Sequence, residues 1–322
     1  MKTATRIGVA LALAAALPLH AQTGYPNKNI RLVVGFAPAG AADTVARAIG
    51  DQLGRVLGQT IVVENRPGAG SSIAAEVVAK SPPDGYTILI ASPASISVNP
   101  ALNPKLAYKS SDLTPVTQVS NSPLVVVVPP GSPIRSLADL AAEAKKNPGK
   151  LNYGTSGVGS APHFGAAYFS QVTGVEMTHV PYKGGGPSIM ALLAGDTQVS
   201  FATPPSALPQ VKAGKLRALA VTSRERSSLM PDIPSAAQAG LPNYAISFWY
   251  GFFVPAGTPP EIVKKIFDAT VEAARKPEVK AILEREGTEV ALSKSPQDFA
   301  AFVAEDAKFW IKLAKESGAT AN

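Results

Sequence analysis

The chain has 322 residues, no cysteine and a formal net charge of +7. The lack of cysteine excludes disulfides and thiolate chemistry, and a modest positive charge that is scattered along the chain argues against a nucleic-acid-binding protein. A chain of this length is more typical of two lobes than of one.

The first 21 residues have the three-part layout of a secretory signal. Lys2 and Arg6 precede an apolar run at residues 7–19 that is too short to span a bilayer, and Ala21 is a small residue at the predicted cleavage position. We predict cleavage after Ala21. An exported protein of this size without disulfides is typical of a bacterial periplasm, so we expect the protein to be periplasmic.

The first predicted strand, residues 29–36, leads into a loop of small residues and then into a helix. Backbone N–H groups at such a loop and at the start of a helix suit an anion, above all a carboxylate. The predicted binding residues here are Ala39, Gly40, Ala41, Ala42 and Asp43. Two roles are open for Asp43: it complements the helix dipole, or it fixes the loop that holds the ligand.

Strands and helices alternate through the next part of the chain, with further strands predicted at residues 59–64 and 86–91. Such alternation is typical of a parallel sheet covered by helices. Ser92 and Ser95 follow the third strand at its carboxyl end, where open α/β sheets bind ligands. We therefore include both serines in the predicted site.

A second loop of small residues follows a short strand predicted at residues 151–153 and has the same design as the first loop. Ser160 is predicted to cap the helix that follows it. The predicted binding residues here are Thr155, Ser156, Gly157, Gly159, Ser160 and His163. Two interpretations are open: a ligand loop, or an ordinary turn whose serine only caps a helix, with His163 facing the cleft or packing against its neighbours.

Two apolar strands, predicted at residues 124–128 and 248–254, are interpreted as the crossings between two lobes. Between them the chain alternates again, and Ala202 and Thr203 follow another predicted strand. We expect an α/β fold of two lobes, each with a mixed, mostly parallel sheet. The expected bounds are 22–123 and 247–322 for lobe 1 and 124–246 for lobe 2.

The motifs of common enzyme classes are missing from the sequence. Beyond the signal, His163 and His179 are the only histidines, too few and too far apart for a zinc signature, and neither a nucleophile elbow nor a phosphate-binding loop is present. We predict no catalytic residue, no metal and no cofactor. The open alternative is a secreted enzyme that uses Asp43 or His163 as a general base beside Ser156 or Ser160.

Several motifs, taken in order, resemble the Bug family of solute-binding proteins, the TctC receptors of tripartite tricarboxylate transporters. The resemblance covers nearly the whole chain beyond the signal. It rests on residues 38–43 (PAGAAD), 64–70 (ENRPGAG), 83–87 (PDGYT), 155–160 (TSGVGS) with His163, 179–184 (HVPYKG), 214–221 (GKLRALAV) and 249–251 (WYG).

The resemblance implies a periplasmic binding protein of the type II clamshell kind. It implies that one ligand carboxylate is held between residues 38–43 and 155–160, largely by backbone amides and bound waters. It also implies that the closed form is presented to membrane permease subunits. We expect the protein to be a monomer. A binding protein that serves a sensor kinase instead is a further alternative.

Two residues depart from the family pattern. Ala41 replaces the second of two paired glycines, which stiffens the loop or requires an ordinary right-handed or extended backbone there. Ala202 stands where many relatives have an aspartate that can meet a ligand ammonium group. We therefore expect an acid without a nearby ammonium: a di- or tricarboxylate, a hydroxy acid or an aromatic acid.

Overall fold

The structure is a computed structural model that describes residues 24–318, so the predicted signal and its cleavage position lie outside the described residues. Within this range, no helix combines the length and the apolar character that a membrane crossing requires.

The described strands form two sheets. The first contains β1 (Ile30–Val34), β2 (Ile61–Asn65), β3 (Thr87–Ala91), β4 (Leu113–Pro123), β10 (Ser247–Pro255) and β11 (Glu289–Val290), in the spatial order β11-β4-β10-β3-β1-β2. The second contains β5 (Val125–Val128), β6 (Asn152–Thr155), β7 (Thr178–Pro181), β8 (Val199–Ala202) and β9 (Arg217–Val221), in the order β7-β6-β8-β5-β9.

Helices cover both sheets. Those described are α1 (Ala41–Leu57), α2 (Ser72–Ala79), α3 (Asn99–Leu102), α4 (Leu137–Lys146), α5 (Ala161–Thr173), α6 (Gly185–Ala194), α7 (Pro204–Lys212), α8 (Pro260–Ala274), α9 (Pro277–Arg285) and α10 (Pro296–Ser317). The chain also makes a π-helical turn at Ala94–Val98 and a short 3₁₀ turn at Ala69–Ser71.

The predicted α/β architecture with two lobes and mixed sheets is confirmed. In the first described sheet, β1 to β4 run in one direction and β10 and β11 oppose them; in the second, β5 alone opposes the others. Each sheet thus has a strand, β10 in the first and β5 in the second, that lies between two strands of the opposite direction. β5 and β10 both follow a passage from one sheet to the other, where no right-handed crossover imposes a parallel arrangement.

The passage from the first sheet to the second is short, since only Leu124 separates β4 from β5. The chain returns between β9 and β10. On this distribution of strands we propose the lobe bounds given above, 22–123 with 247–322 and 124–246.

Strand β4 is absent from the sequence-based predictions. It contains Pro115 and a run of polar residues, yet it pairs with β10 along its whole length, with two shifts of register. β-Propensity is decided largely by neighbouring strands, and only β10 on one side and β11 on the other make this segment a strand. Helix α7, which begins with two prolines in its first turn, is also absent from the sequence-based predictions.

Helix α10 joins the apolar cores of the two lobes. Phe299 packs in a cluster of the first lobe with Trp249, whereas Trp310 packs with Phe164 and Phe248 in the large cluster of the second lobe. Between them, Oδ2 of Asp306 accepts hydrogen bonds from Nε1 of both tryptophans, at 2.6 Å from Trp249 and 2.7 Å from Trp310. One carboxylate therefore links the helix to both aromatic cores.

Candidate ligand-binding site

A cavity of about 830 Å³ lies between the lobes and is lined by loops from both. Lobe 1 contributes residues 35–42 and 67–71, and lobe 2 contributes residues 156–158, 160–162 and 182–187. Such a volume is ordinary for a small-molecule site. The two loops of similar design in the sequence therefore meet at one cavity in the structure.

The first loop follows β1 and ends at α1. Ala39 has a left-handed backbone, with φ of 60°, which is unfavourable for a residue with a side chain. Gly40 precedes the helix and offers no side-chain cap, so the first backbone N–H groups of α1, at Ala41 and Ala42, have no partner within the helix. These groups border the cavity, and the positive end of the helix dipole favours an anion there.

Asp43 lies behind this loop and is not a lining residue. Its Oδ2 accepts the backbone N–H of Ala39 at 3.0 Å and Nε of Arg47 at 2.9 Å, while its Oδ1 accepts Nδ2 of Asn65 at 2.9 Å. The Nδ2 atom of Asn65 also donates to the carbonyl of Phe36 at 3.0 Å. Of the two roles considered for Asp43, these contacts favour the fixing of the loop.

The charge of Asp43 is maintained despite its burial. Burial by itself raises the pKa of a carboxyl, but hydrogen bonds from Arg47, from the Ala39 N–H and from Asn65 outweigh it, and the pKa of Asp43 is lowered. Arg47 is half exposed, so the ion pair lies at the edge of the protein. Asp43 is therefore an ionised anchor of the loop.

The central loop makes a tight turn before α5. The hydroxyl of Ser160 donates to the carbonyl of Gly157 at 2.6 Å, and the Ser160 N–H donates to the same oxygen at 3.2 Å. Ser160 occupies the predicted N-cap position of α5, but its hydroxyl closes the turn and makes no bond to the helix, so only the predicted side-chain cap is wrong. The backbone N–H groups of Ser156 and Val158, which both line the cavity, have no acceptor among residues 24–318.

Three of the predicted residues support the central loop from behind. Nδ1 of His163 accepts the backbone N–H of Gly159 at 3.1 Å, which occupies that amide. Oγ1 of Thr155 is 2.7 Å from Nε2 of His179 and accepts the N–H of Gly157 at 3.2 Å. Thr155, Gly159 and His163 are buried and do not line the cavity.

The two histidines stack on each other, with ring centroids 4.0 Å apart. Burial, and then the neighbouring His179, lowers the pKa of His163 to about 3, and burial lowers the pKa of His179 to about 4. Both rings are neutral at physiological pH. A neutral imidazole can accept the Gly159 N–H, whereas a protonated ring cannot.

The residues predicted after β3 and β8 lie largely outside the cavity. Ser92 borders a void of only about 10 Å³, and Oγ of the fully buried Ser95 donates to the Ser92 carbonyl at 3.3 Å. Ala202 packs in an apolar cluster of lobe 2, but the next residue, Thr203, lines the cavity. The π-helical turn at Ala94–Val98 directs the segment that follows β3 into the core.

The structure thus divides the predicted residues into two groups. Those that line the cavity are Ala39, Gly40, Ala41, Ala42, Ser156, Gly157, Ser160 and Thr203. Those that do not line it are Asp43, Ser92, Ser95, Thr155, Gly159, His163 and Ala202.

Two lining segments are missing from the predicted site, residues 67–71 after β2 and residues 182–187 after β7. Both are glycine-rich loops between a strand and a helix, the same signal that identified the other two loops. The second contains Lys183, the one charged residue among the described residues that line this cavity; no acidic side chain lines it. The described residues also contain no group of side chains placed to hold a metal ion.

Comparisons with known proteins agree with this geometry. Residues 45–319 match the family described as tripartite tricarboxylate transporter family receptor, TctC. Protein BugT of Bordetella pertussis is 35% identical over 316 residues, which cover 97% of this chain and 96% of BugT.

Solved structures of similar proteins have the same fold. MatC from Rhodopseudomonas palustris with bound malate is 32% identical, with a TM-score of 0.83 over 90% of this chain and 99% of MatC. Rpa4515 of R. palustris with adipate is 35% identical, with a TM-score of 0.86 over 92% of this chain and 99% of that protein. From the family match, the relatives and the two-lobed fold together, the chain belongs to the TctC family, the solute-binding receptors of tripartite tricarboxylate transporters.

Proposed function

We propose that this protein captures a small organic carboxylate in the cavity between its lobes and delivers it to the membrane permease of a tripartite tricarboxylate transporter. The observation that carries the proposal is that two loops, residues 38–43 and 155–160, contribute lining residues from opposite lobes to one cavity. Each loop leads into the N-terminus of a helix, where anions are favoured.

The chemistry of the lining favours an anion held by neutral donors. Charge-assisted hydrogen bonds contribute roughly 1.5 to 3 kcal/mol each, and micromolar binding requires about 8 kcal/mol. Four or five amides and hydroxyls therefore suffice, even after ordering costs. Candidate donors are the N–H groups of Ala41, Ala42, Ser156 and Val158, which line the cavity.

The charges around the cavity support an acid that carries no ammonium group. Lys183 supplies one positive charge, and within residues 24–318 no aspartate or glutamate lines the cavity to attract a ligand cation. The relatives MatC and Rpa4515 bind malate and adipate, two acids of this kind. We propose a di- or tricarboxylate, a hydroxy acid or an aromatic acid as the ligand.

Binding without turnover is part of the proposal. The Asp43 carboxylate is engaged by Ala39, Arg47 and Asn65, and Nδ1 of His163 is engaged by Gly159. Neither side chain is hydrogen-bonded to a serine hydroxyl in the described part of the chain, as a general base for such a nucleophile would be.

We further propose a periplasmic monomer, exported by residues 1–21 and cleaved after Ala21.

The test is to purify the protein from the periplasm, denature it and identify the released small molecules by mass spectrometry. A thermal-shift screen of organic acids and amino acids then uses the emptied protein. We expect a co-purified acid without an ammonium group, and a higher melting temperature with acids of that class. A response confined to amino acids contradicts the proposed ligand class.

Two further experiments address the alternatives. Incubation with the acid for hours should return it intact, and its conversion would favour an enzyme. Deletion of the gene should abolish uptake of the labelled acid; unchanged uptake, with loss of a transcriptional response to the acid, would favour a sensor-kinase partner.

A further inference from the structure

Ser71 lines the cavity and has a buried hydroxyl that makes no hydrogen bond within residues 24–318. Ser71 is only 1% exposed, and its Oγ has no partner among the described residues. Leaving a buried hydroxyl unpaired is unfavourable by roughly 1 to 3 kcal/mol. Of the buried side-chain atoms without a partner in residues 24–318, the Ser71 hydroxyl is the one that belongs to a lining residue of this cavity.

The backbone around Ser71 is strained. Four successive residues, 68–71, have positive φ, and two of them carry side chains: Ala69 with φ of 46° and Ser71 with φ of 73°. A left-handed conformation at a residue other than glycine is unfavourable by about 1 to 3 kcal/mol and persists where the surroundings impose it, often at ligand sites.

Asn99 and Tyr108 impose this conformation from behind the segment. Nδ2 of Asn99 donates to the carbonyl of Ala69 at 3.1 Å and to Oγ of Ser72 at 2.7 Å, and the Tyr108 hydroxyl lies 3.4 Å from the same Ser72 oxygen. Asn99 and Tyr108 are both buried. The neighbouring Ser72 hydroxyl is thus engaged in support, whereas the Ser71 hydroxyl has no partner among the described residues.

Gly35 provides the space for the Ser71 side chain at the carboxyl end of β1. A Cβ atom at Gly35 would lie 1.7 Å from Oγ of Ser71, a distance that no side chain tolerates. The hydroxyl therefore sits directly over the backbone at the sheet edge where α/β proteins bind ligands. Segment 67–71 follows β2 and is a further part of the cavity wall, in addition to the two loops proposed to hold the first carboxylate.

We propose that the Ser71 hydroxyl determines ligand specificity by donating a hydrogen bond to a second acceptor group of the ligand, in addition to the carboxylate bound by the backbone amides. The ligand class is then an acid with two functions, such as a dicarboxylate or a hydroxy acid. This inference rests on the proposed function. The lining favours an acceptor, because the described residues contribute one positive charge to it, at Lys183, and no acidic side chain.

The test compares Ser71→Ala with Ser120→Ala in the full protein after removal of any bound ligand. Ser120 is a matched control because its hydroxyl is equally buried and unpartnered in the same lobe but does not line the cavity. Binding is measured by calorimetry with succinate and malate against butanoate, and with adipate against hexanoate. Each comparison changes the second function of the acid and keeps the chain length.

We expect Ser71→Ala to weaken binding of the tightest two-function acid about tenfold and that of its monocarboxylate partner less than twofold. Ser120→Ala should leave both unchanged. If malate loses affinity on substitution and succinate does not, the second group is the hydroxyl; if both lose affinity equally, it is the second carboxylate.

The inference alone is overturned if the wild type binds these acids and Ser71→Ala weakens binding of the two-function acid and of its monocarboxylate counterpart equally, or weakens neither. Failure of the wild type to bind any acid contradicts the proposed function and this inference with it. Melting of the ligand-free protein separates a structural role: Ser71→Ala removes an unpaired hydroxyl, so its melting temperature should be unchanged or higher, and a fall would assign Ser71 to support of the fold.

Discussion

Nδ1 of His163 accepts the backbone N–H of Gly159 at 3.1 Å, so a titratable ring holds the turn of the central loop. The pKa of His163 is lowered by burial, and further by His179, to about 3, and that of His179 by burial to about 4. An unfolded chain protonates these histidines near pH 6.5, so below that pH it binds more protons than the folded chain.

We therefore expect the free energy of unfolding to fall as pH decreases from 6.5 toward 4, with each histidine contributing up to about 1.4 kcal/mol per pH unit. Urea unfolding between pH 7.5 and 5 measures this slope above the range where most carboxyls titrate. His163→Asn keeps an acceptor near the Gly159 N–H without titrating, so its slope should be shallower by about half. An unchanged slope in this variant would assign the pH dependence to other groups.

Asp43 should be important for both stability and binding. Asp43→Ala leaves the Ala39 N–H without its acceptor and the Asn65 amide with only the Phe36 carbonyl. We expect the free energy of unfolding to fall by about 2 to 3 kcal/mol, with weaker binding of the acid found in the screen. Asp43→Asn should lose less, because its carbonyl oxygen can still accept the Ala39 N–H.

Asp51→Ala on the same helix is the control, since the Asp51–Arg55 pair is exposed. Its effect on unfolding in urea should be below about 1 kcal/mol. Equal effects of the Asp43 and Asp51 variants on stability and binding would remove the anchoring role of Asp43.

The shared acceptor of the two tryptophans offers a test of how helix α10 is held against the aromatic clusters. Burial raises the pKa of Asp306, although the indole hydrogen bonds partly offset this. Asp306→Ala leaves two indole N–H groups without their acceptor and should lower the free energy of unfolding by about 2 to 4 kcal/mol, whereas Asp306→Asn retains one acceptor oxygen and should lose less.

Trp249 and Trp310 are the only tryptophans of the chain, so intrinsic fluorescence reports directly on the surroundings of the two indole rings that Asp306 binds. We expect Asp306→Ala to shift the emission maximum, while the exposed neighbour Glu305→Ala leaves emission and stability unchanged. A normal spectrum and normal unfolding of Asp306→Ala would show that the helix is held by its apolar contacts alone.

Gly35→Ala should displace segment 67–71, because the added methyl group overlaps Oγ of Ser71. We expect a loss of more than about 2 kcal/mol in the free energy of unfolding and a clear loss of acid binding. Gly131→Ala is the control, since among the described residues no atom beyond its chain neighbours lies within 4 Å of a Cβ placed there. Native-like unfolding and binding of Gly35→Ala would mean that the segment moves at no cost.

The sequence by itself determined the α/β class, the two lobes, the family and the two loops of small residues. These features are local: an apolar strand, a glycine-rich loop and a helix start are all recorded within about fifteen consecutive residues. The same rule, applied after β2 and β7, would also have indicated residues 67–71 and 182–187.

Only the tertiary structure decided which residues face the ligand cavity and which hold its walls. Packing decides three hydrogen bonds: from Asn65 to Asp43, from Gly159 to His163 and from Asn99 to the carbonyl of Ala69. A side chain in a loop can turn either toward the cleft or toward the core, and the choice depends on which buried donors and acceptors must be satisfied. Those partners come from distant parts of the chain or from the exact course of the backbone, which no local pattern specifies.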